Sequence, residues 1–293
     1  MEQLKRETYF KHSSRLVAKF IEELQFEEIL HPKCLDSNLY QLNVGQLISY
    51  QFSGQMREWG NLCLDSGTLR KWSEGHEIKE ISIFSFIKEI QSACEMDDQT
   101  LSLFLEEAQR TLFSDVAHAR QTQHLDVSDL TEMDFLSVDQ LLPGHPKLLL
   151  NKGRVGWGVN DLKKYAPESQ NSFRLRWVAA RQWKLYRGIA ERVDNVTLLN
   201  HSLSAEDKQN LSDQLSSLGE SFAKFFIFPV HPWQWDQHIQ FLYQEDLATG
   251  DLIDLGEMGD EYTPQVSLRT LSHSRKRENL DIKLSVSVLN TSC

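Results

Sequence analysis

Residues 143–168 read PGHPKLLLNKGRVGWGVNDLKKYAPE, and they are the most chemically biased part of the 293-residue sequence. Between positions 147 and 187 the chain carries ten Lys or Arg and two acidic residues. This region therefore has a formal charge of +8 within a chain of net charge −11. A cationic region in an acidic protein indicates a binding site for a polyanion. Three glycines in it, at positions 153, 156 and 158, allow the backbone to approach a ligand closely.

Two downstream motifs complement this stretch, HPWQW at 231–235 and SLRT at 267–270. Alternation over 265–271 predicts a strand that carries Ser267 and Arg269 on one side. A guanidinium with the hydroxyls of Ser267 and Thr270 suits a phosphate group. Upstream, Lys152 and Arg154 are two residues apart, so an extended segment would direct both to the same phosphate.

The periodicity predicts an α+β protein. Apolar residues recur at helical spacing over 7–30 and 82–121, and short alternating runs with glycine between 39 and 69 predict two or three strands. We therefore expect a helical and small-sheet N-terminal domain over 1–140. Over 141–293 we expect an antiparallel sheet with flanking helices, with strands at 172–178, 265–271 and 281–289. The sequence stops within the apolar alternation KLSVSVLNTSC, so this sheet is expected to be truncated.

Two further local features belong to the second region. Ser204 and Asp207 have the spacing of a capping box that begins a helix over 204–225. The acidic, glycine-containing run GDLIDLGEMGDEYTP at 250–264 predicts a solvated connection. A magnesium site there is the less favoured alternative.

Composition and missing motifs exclude several classes of function. No apolar run reaches the length of a membrane span and no apolar signal core follows Met1, which predicts a cytoplasmic protein without membrane contact. The negative charge argues against a nucleic-acid partner. The four cysteines form no C-x-x-C pair, and the histidines and acids have no metal-ligand spacing, so no protein metal site is predicted. P-loop, GxGxxG, H-E-x-x-H and G-x-S-x-G motifs are absent.

The order of the motifs gives a resemblance. GHP, Lys152, Arg154 and Gly156 at fixed spacing, YAPE, HPWQW, SLRTL and KLSVSVLNTSC resemble the IucA/IucC family of siderophore synthetases, which act independently of non-ribosomal peptide synthetases. The aerobactin-synthase branch is the most similar, because it shares apolar residues at Leu148 and Leu149, where the wider family often has His-Pro. The resemblance is good over 141–293 and loose before it, and it corresponds to the N-terminal half of such enzymes.

The resemblance implies a reaction and its ligands. These enzymes use ATP and Mg²⁺ to activate a carboxylate of citrate, or of a citryl amide, as an acyl-adenylate. An amine that bears a hydroxamate or a hydroxylamine then displaces AMP and forms an amide. For the full-length form a homodimer is a further expectation.

The motif match also implies site residues. The ATP-binding set is Gly144, His145, Lys152, Arg154, Ser267, Arg269, Thr270 and Lys283. Within it, Arg269 and Lys283 are implied to be catalytic. The match places Thr291 and Ser292 at the citrate carboxylates.

Two alternatives stay open. One is a non-catalytic truncated remnant, or a fragment that only binds nucleotide. The other is an unrelated phosphoryl-transfer enzyme, which would release ADP in place of AMP. Because related synthetases continue for about as many residues again, the 293-residue chain alone is expected to be inactive.

Overall fold

The computed structural model describes residues 6–122, 125–142, 148–186, 195–274 and 280–290. Contacts divide the chain into two compact units that are discontinuous in sequence. Unit 1 consists of the described parts of Met1–Leu125, Pro143–Gly156 and Leu289–Cys293, and unit 2 of Asp126–Leu142 and Trp157–Val288. The predicted domains, 1–140 and 141–293, stay a prediction.

Unit 1 packs three helices against a small antiparallel sheet. Its helices are α1 (Arg6–Phe26), α2 (Ile83–Glu89) and α3 (Asp98–Thr122). Its strands are β1 (Lys33–Asp36), β2 (Leu39–Val44), β3 (Ile48–Met56), β4 (Leu62–Leu64), β5 (Arg70–Ser73), β6 (His76–Ile78), β7 (Arg154–Val155) and β13 (Leu289–Asn290). The main sheet has the order β1-β2-β3-β5-β6 with β4 paired to β3, and β7 pairs with β13.

The apolar stripe predicted for the first helix forms the core of unit 1. Leu16, Phe20 and Leu24 are buried on α1, because residues three to four apart lie on one helix face. The ring of Phe20 packs edge-on against Phe86 of α2 and Phe104 of α3, with centroids 6.2 and 6.0 Å apart. One amphipathic helix thus joins the two others in a single core.

Unit 2 is organised around a five-stranded antiparallel sheet in the order β12-β11-β10-β8-β9. Its strands are β8 (Phe173–Arg181), β9 (Phe225–Val230), β10 (Leu252–Pro264), β11 (Thr270–His273) and β12 (Ile282–Lys283). Its helices are α4 (Val127–Glu132), α5 (Phe135–Gln140), α6 (Val159–Tyr165), α7 (Asn195–Ser202), α8 (Ala205–Ser217), α9 (Pro232–Gln234), α10 (Gln240–Leu242) and α11 (Gln244–Thr249).

Alternation along β8 separates the two faces of this sheet. Trp177 and Ala179 pack with residues of α7 and α8 on one face. Val178 and Ala180 pack with Trp235 on the other. Both faces are therefore covered by helical segments, and the predicted α+β class with antiparallel sheets and flanking helices is confirmed.

The prediction of a solvated loop at 250–264 is wrong, because this run is β10, the central strand of the sheet. Its register against β8 shifts between Asp254 and Gly256 and again between Met258 and Glu261. Gly256 and Gly259 have φ of +86° and +84°, a conformation that favours glycine and marks bulges. The bulges disrupt simple alternation, and that is why the sequence pattern resembles a loop.

Candidate nucleotide-binding site

The SLRT motif lies in a turn that leads into β11. The predicted strand 265–271 is wrong in its first part, because β11 begins only at Thr270. Two backbone hydrogen bonds close the turn: Thr270 N–H donates to the Ser267 carbonyl at 2.6 Å, and Gln265 N–H donates to the Thr270 carbonyl at 2.9 Å. The turn brings the Ser267 and Thr270 hydroxyl oxygens to 3.4 Å from each other. A single anionic group can therefore accept hydrogen bonds from both.

Pairing between β11 and β12 adds a lysine to these hydroxyls. Thr270 is the register partner of Lys283. Residues directly opposite in an antiparallel pair project from the same face of the sheet. Lys283 is exposed, and its side chain makes no hydrogen bond or ion pair with the parts of the chain that the structure describes. Two hydroxyls and one uncompensated ammonium thus occupy one corner of unit 2.

Arg269 is bound to main-chain carbonyls. Its Nε donates to the Val286 carbonyl at 3.1 Å and its Nη2 to the Val288 carbonyl at 3.2 Å. Its own carbonyl accepts from Leu284 N–H at 2.9 Å. Arg269 therefore fixes the segment that follows Lys283, and its remaining guanidinium N–H groups stay available to a ligand. Its role as a phosphate ligand stays a prediction.

Residues 284–288, which we call the strap, are also held by Gln234 of the HPWQW motif. Gln234 Nε2 donates to the Ser287 hydroxyl at 3.1 Å, and Ser287 N–H donates to Gln234 Oε1 at 2.7 Å. Sequence reasoning did not select Gln234, although its place between two tryptophans in a recognised motif was the available signal. The predicted strand 281–289 is therefore wrong over residues 284–288, because the strap belongs to no strand and these side-chain contacts replace ladder hydrogen bonds.

His231 begins the short helix α9, as predicted, with Pro232 at its first position. Its Nδ1 accepts from Trp233 N–H at 3.2 Å, and its ring packs on Tyr165 and Phe173 at centroid distances of 4.7 and 5.0 Å. Burial, with a smaller contribution from the Lys164 charge, lowers the pKa of His231 to about 3. A neutral buried imidazole of this kind caps and packs the helix.

Lys152 and Arg154 lie in unit 1, close to α3. Lys152 is 2% exposed, and its Nζ lies 2.7 Å from Asp115 Oδ1. It belongs to a turn and not to the extended segment that was predicted, while Arg154 opens the two-residue strand β7. The Arg154 side chain is buried, and its carbonyl accepts from Arg110 Nη1 at 3.1 Å. Both basic residues are therefore built into unit 1 rather than displayed to solvent.

Acidic residues from other parts of unit 2 neutralise much of the positive region. Arg176 pairs with Asp254, and Arg181 pairs with Glu220. Lys184 Nζ lies 2.7 Å from Asp246. The +8 of the sequence is thus partly compensated in the fold by acids far along the chain, from β10, from the connection after α8 and from α11.

Four predicted site residues, Gly144, His145, Thr291 and Ser292, lie outside the residues that the structure describes. Over the described ranges, no group of three His, Cys, Asp or Glu side chains has the geometry to hold a metal ion. None of the helices seen in these same ranges has the length and apolarity to cross a membrane.

Comparisons with known proteins identify the family of this chain. The profile of the IucA / IucC family matches residues 134–293. Aerobactin synthase of Escherichia coli is 32% identical over 279 residues, which cover 95% of this chain and 47% of that protein. The chain thus spans about half the length of the curated relatives it matches.

Two solved structures share the fold. Aerobactin synthetase IucC from a hypervirulent Klebsiella pneumoniae pathotype is 31% identical and has a TM-score of 0.90, over 96% of this chain and 51% of that one. The ATP-bound aerobactin synthetase IucA from the same pathotype is 20% identical, with a TM-score of 0.70 over 96% of this chain and 49% of that one. The resemblance drawn from the motifs is confirmed: the chain belongs to the IucA/IucC family.

Proposed function

We propose that this chain supplies the nucleotide-binding part of an ATP-dependent carboxylate–amine ligase in siderophore biosynthesis. The observation that carries the proposal is the cluster of Ser267, Thr270 and Lys283 in one corner of unit 2. Two hydroxyl donors and an uncompensated cation suit a phosphate group. Relatives named as siderophore synthases, and the ATP in the IucA structure, support the choice of reaction and nucleotide.

The proposed chemistry has two steps. A carboxylate oxygen of citrate or of a citryl amide attacks the α-phosphorus of ATP, the bond to the β-phosphate oxygen breaks, and pyrophosphate leaves. The nitrogen of a hydroxamate-bearing amine then attacks the acyl carbon, loses its proton, and AMP leaves with the former carboxylate oxygen. Because both substrates are anions, alignment and charge compensation are the main tasks of the protein. Lys283 and the two hydroxyls serve these tasks at the phosphates.

Arg269 acts in this proposal partly through the strap. By binding the Val286 and Val288 carbonyls, it fixes the chain immediately after Lys283. On the motif match alone, Lys152, Arg154, Gly144 and His145 remain candidate ATP-binding residues, and Thr291 and Ser292 remain candidate citrate-binding residues. Mg²⁺ commonly binds through substrate phosphates with only one or two carboxylates. We therefore propose that it enters with ATP.

Product analysis tests the proposal and separates the alternatives. The full-length form that contains this chain is incubated with ATP, Mg²⁺, citrate and an N-hydroxylated amine, and nucleotides are separated by chromatography. Citrate-dependent AMP and pyrophosphate would support the ligase, whereas ADP would contradict it in favour of phosphoryl transfer. Binding of ATP in calorimetry without turnover would favour the alternative of a protein that only binds nucleotide. Absence of ATP binding would overturn the assignment of a nucleotide-binding site. The predicted homodimer is checked by light scattering of the full-length form.

A further inference from the structure

Unit 2 contains a second feature, a cavity of about 540 Å³ beside Lys283. This volume lies within the range of small-molecule sites. Its walls come from β8, β9, the helical segment after His231 and the chain from Lys283 to Ser285. Ser267, Arg269 and Thr270 do not line it, so the cavity is separate from the phosphate-binding turn.

The walls of the cavity are mainly apolar. The sheet contributes Val178, Ala180 and Phe228, and the helical side contributes Ile239 and Leu242. Apolar walls favour a ligand with an apolar body, because such a ligand gains by leaving water.

Both acidic residues that line the cavity have basic partners. Lys184 lies 2.7 Å from Asp246 and 3.4 Å from Asp251, and Arg181 Nε lies 3.5 Å from the same Asp251. Lys283 has no acidic partner among the residues that the structure describes. A cation beside an apolar cavity selects an anionic group attached to an apolar body.

The strap forms one wall of this cavity, and hydrogen bonds hold it in place. β12 and β9 form opposite edges of the sheet, yet residues after β12 line the same cavity as β9. The strap therefore crosses the sheet face, and Gln234 and Arg269 hold it there through Ser287 and through the Val286 and Val288 carbonyls. The cavity wall thus has fixed hydrogen-bonded support from two sides.

We infer that this cavity binds a small organic monoanion with an apolar body, such as an aliphatic or aromatic carboxylate, with Lys283 as its counter-ion. This site goes beyond the proposed ligase function and does not depend on it. Citrate, with three carboxylates and little apolar surface, does not match it. Lys283 is the one side chain common to the cavity and to the phosphate-binding corner.

A pair of fluorescent probes tests the inference in the 293-residue chain. Anilinonaphthalene sulfonate carries an apolar body with one negative charge, and N-phenyl-1-naphthylamine is its neutral counterpart. We expect saturable one-to-one binding of the sulfonate. In Lys283→Met its affinity should fall about tenfold or more, the loss expected for a charge-assisted contact. The neutral probe should bind Lys283→Met and the parent chain equally.

Variants that fill the cavity test its location. Ala180→Leu, or Val230→Phe at a half-buried position if the first variant misfolds, should abolish binding of both probes. Lys163→Met, at an exposed lysine on α6, is the matched control and should bind the sulfonate as the parent does. Octanoate should displace the sulfonate, and inorganic phosphate at equal concentration should not.

Several results would overturn the inference. Equal sulfonate affinity in Lys283→Met and in the parent would show that Lys283 is not the counter-ion. Unchanged binding in both filling variants would place the probe elsewhere. Displacement by phosphate as effective as by octanoate would show a site that recognises charge alone, and absence of saturable binding would show no site.

Discussion

Gln234 and Ser287 exchange two hydrogen bonds, side chain to side chain at 3.1 Å and backbone N–H to side chain at 2.7 Å. Gln234 is only 8% exposed and Ser287 is exposed, so both contacts are partly buried. Their effect is to hold a segment outside any strand against the helical side of unit 2. Lys283 immediately precedes that segment, so the segment fixes the lysine that belongs to both the phosphate-binding corner and the cavity.

Replacing Gln234 with leucine should release the strap. Gln234→Leu keeps the size of the side chain but leaves the Ser287 N–H without its acceptor, so we expect a loss of about 1–3 kcal/mol in unfolding free energy. The Ser287 amide should exchange with deuterium faster than in the parent chain. Gln237→Leu, at an exposed position on the same helical segment, should change neither quantity. Equal exchange rates in Gln234→Leu and the parent would show that the strap is held by other contacts.

Removing the Arg269 guanidinium should weaken ATP binding. We expect Arg269→Ala to cost about 1.5–3 kcal/mol of binding free energy, the range for a charge-assisted hydrogen bond. Part of this loss would arise from freeing the carbonyls that Arg269 holds. Calorimetric titration of ATP measures it, with Arg174→Ala, at an exposed arginine on β8, as the control. Unchanged affinity in Arg269→Ala would contradict the assignment of this motif.

Substitution of Lys152 should affect ATP binding more than substitution of the exposed lysines of α6. Lys152→Gln should reduce ATP binding far more than Lys163→Gln or Lys164→Gln, because the motif match makes Lys152 a candidate ATP ligand while the other two are exposed lysines of α6. The variant also leaves Asp115 without its partner, and since Asp115 is partly exposed we expect a stability loss of about 1–3 kcal/mol.

A double variant separates the two roles of Lys152. Lys152→Met with Asp115→Leu should recover much of the stability lost in the single variant, because no uncompensated carboxylate remains. It should not recover ATP binding. Recovery of both properties would show that Lys152 is structural only.

The buried imidazole of His231 should make the protein sensitive to acid. Its pKa is lowered from 6.5 to about 3 by burial, so the unfolded chain takes up a proton that the folded chain does not. The contribution to stability is complete above pH 6.5 and declines as the pH falls toward 3, by up to about 1.4 kcal/mol per pH unit. His231→Asn keeps a helix cap and cannot titrate. Its thermal midpoint should depend less on pH between 6.5 and 4.5, and an unaltered slope would exclude His231 as the cause.

Alanine substitutions at two glycines of β10 should destabilise the protein to different degrees. A Cβ on Gly259 would lie 2.5 Å from the Ser202 carbonyl oxygen, whereas one on Gly256 would meet no atom within 4 Å. Both have positive φ, so Gly256→Ala should cost about 1–2 kcal/mol from backbone strain alone. Gly259→Ala should cost clearly more, as measured by chemical denaturation. Similar losses in the two variants would show that the helix residues at Ser202 yield without penalty.

The amino-acid sequence by itself determined several of the local elements. The stripe of α1, the alternation of β8 and the capping box of Ser204 and Asp207 are all present. These features depend on residues two to four apart, whose spacing is set by the geometry of a helix or strand. The family could also be inferred from motif order, because motifs are read along the chain without knowledge of contacts.

Only the tertiary structure decided which charged residues form ion pairs and which residues of the acidic run form a strand. Lys152 and Asp115 are 37 residues apart, and Arg176 and Asp254 are 78 apart, so no local pattern predicts either pair. The bulges of β10 are stabilised by pairing with β8, which the acidic run alone does not reveal. Lys283 joins Ser267 and Thr270 because β11 and β12 pair in one register, and Arg269 finds its carbonyl partners because the strap crosses the sheet. Such contacts join residues that are tens of positions apart in the sequence, and local sequence patterns do not predict them.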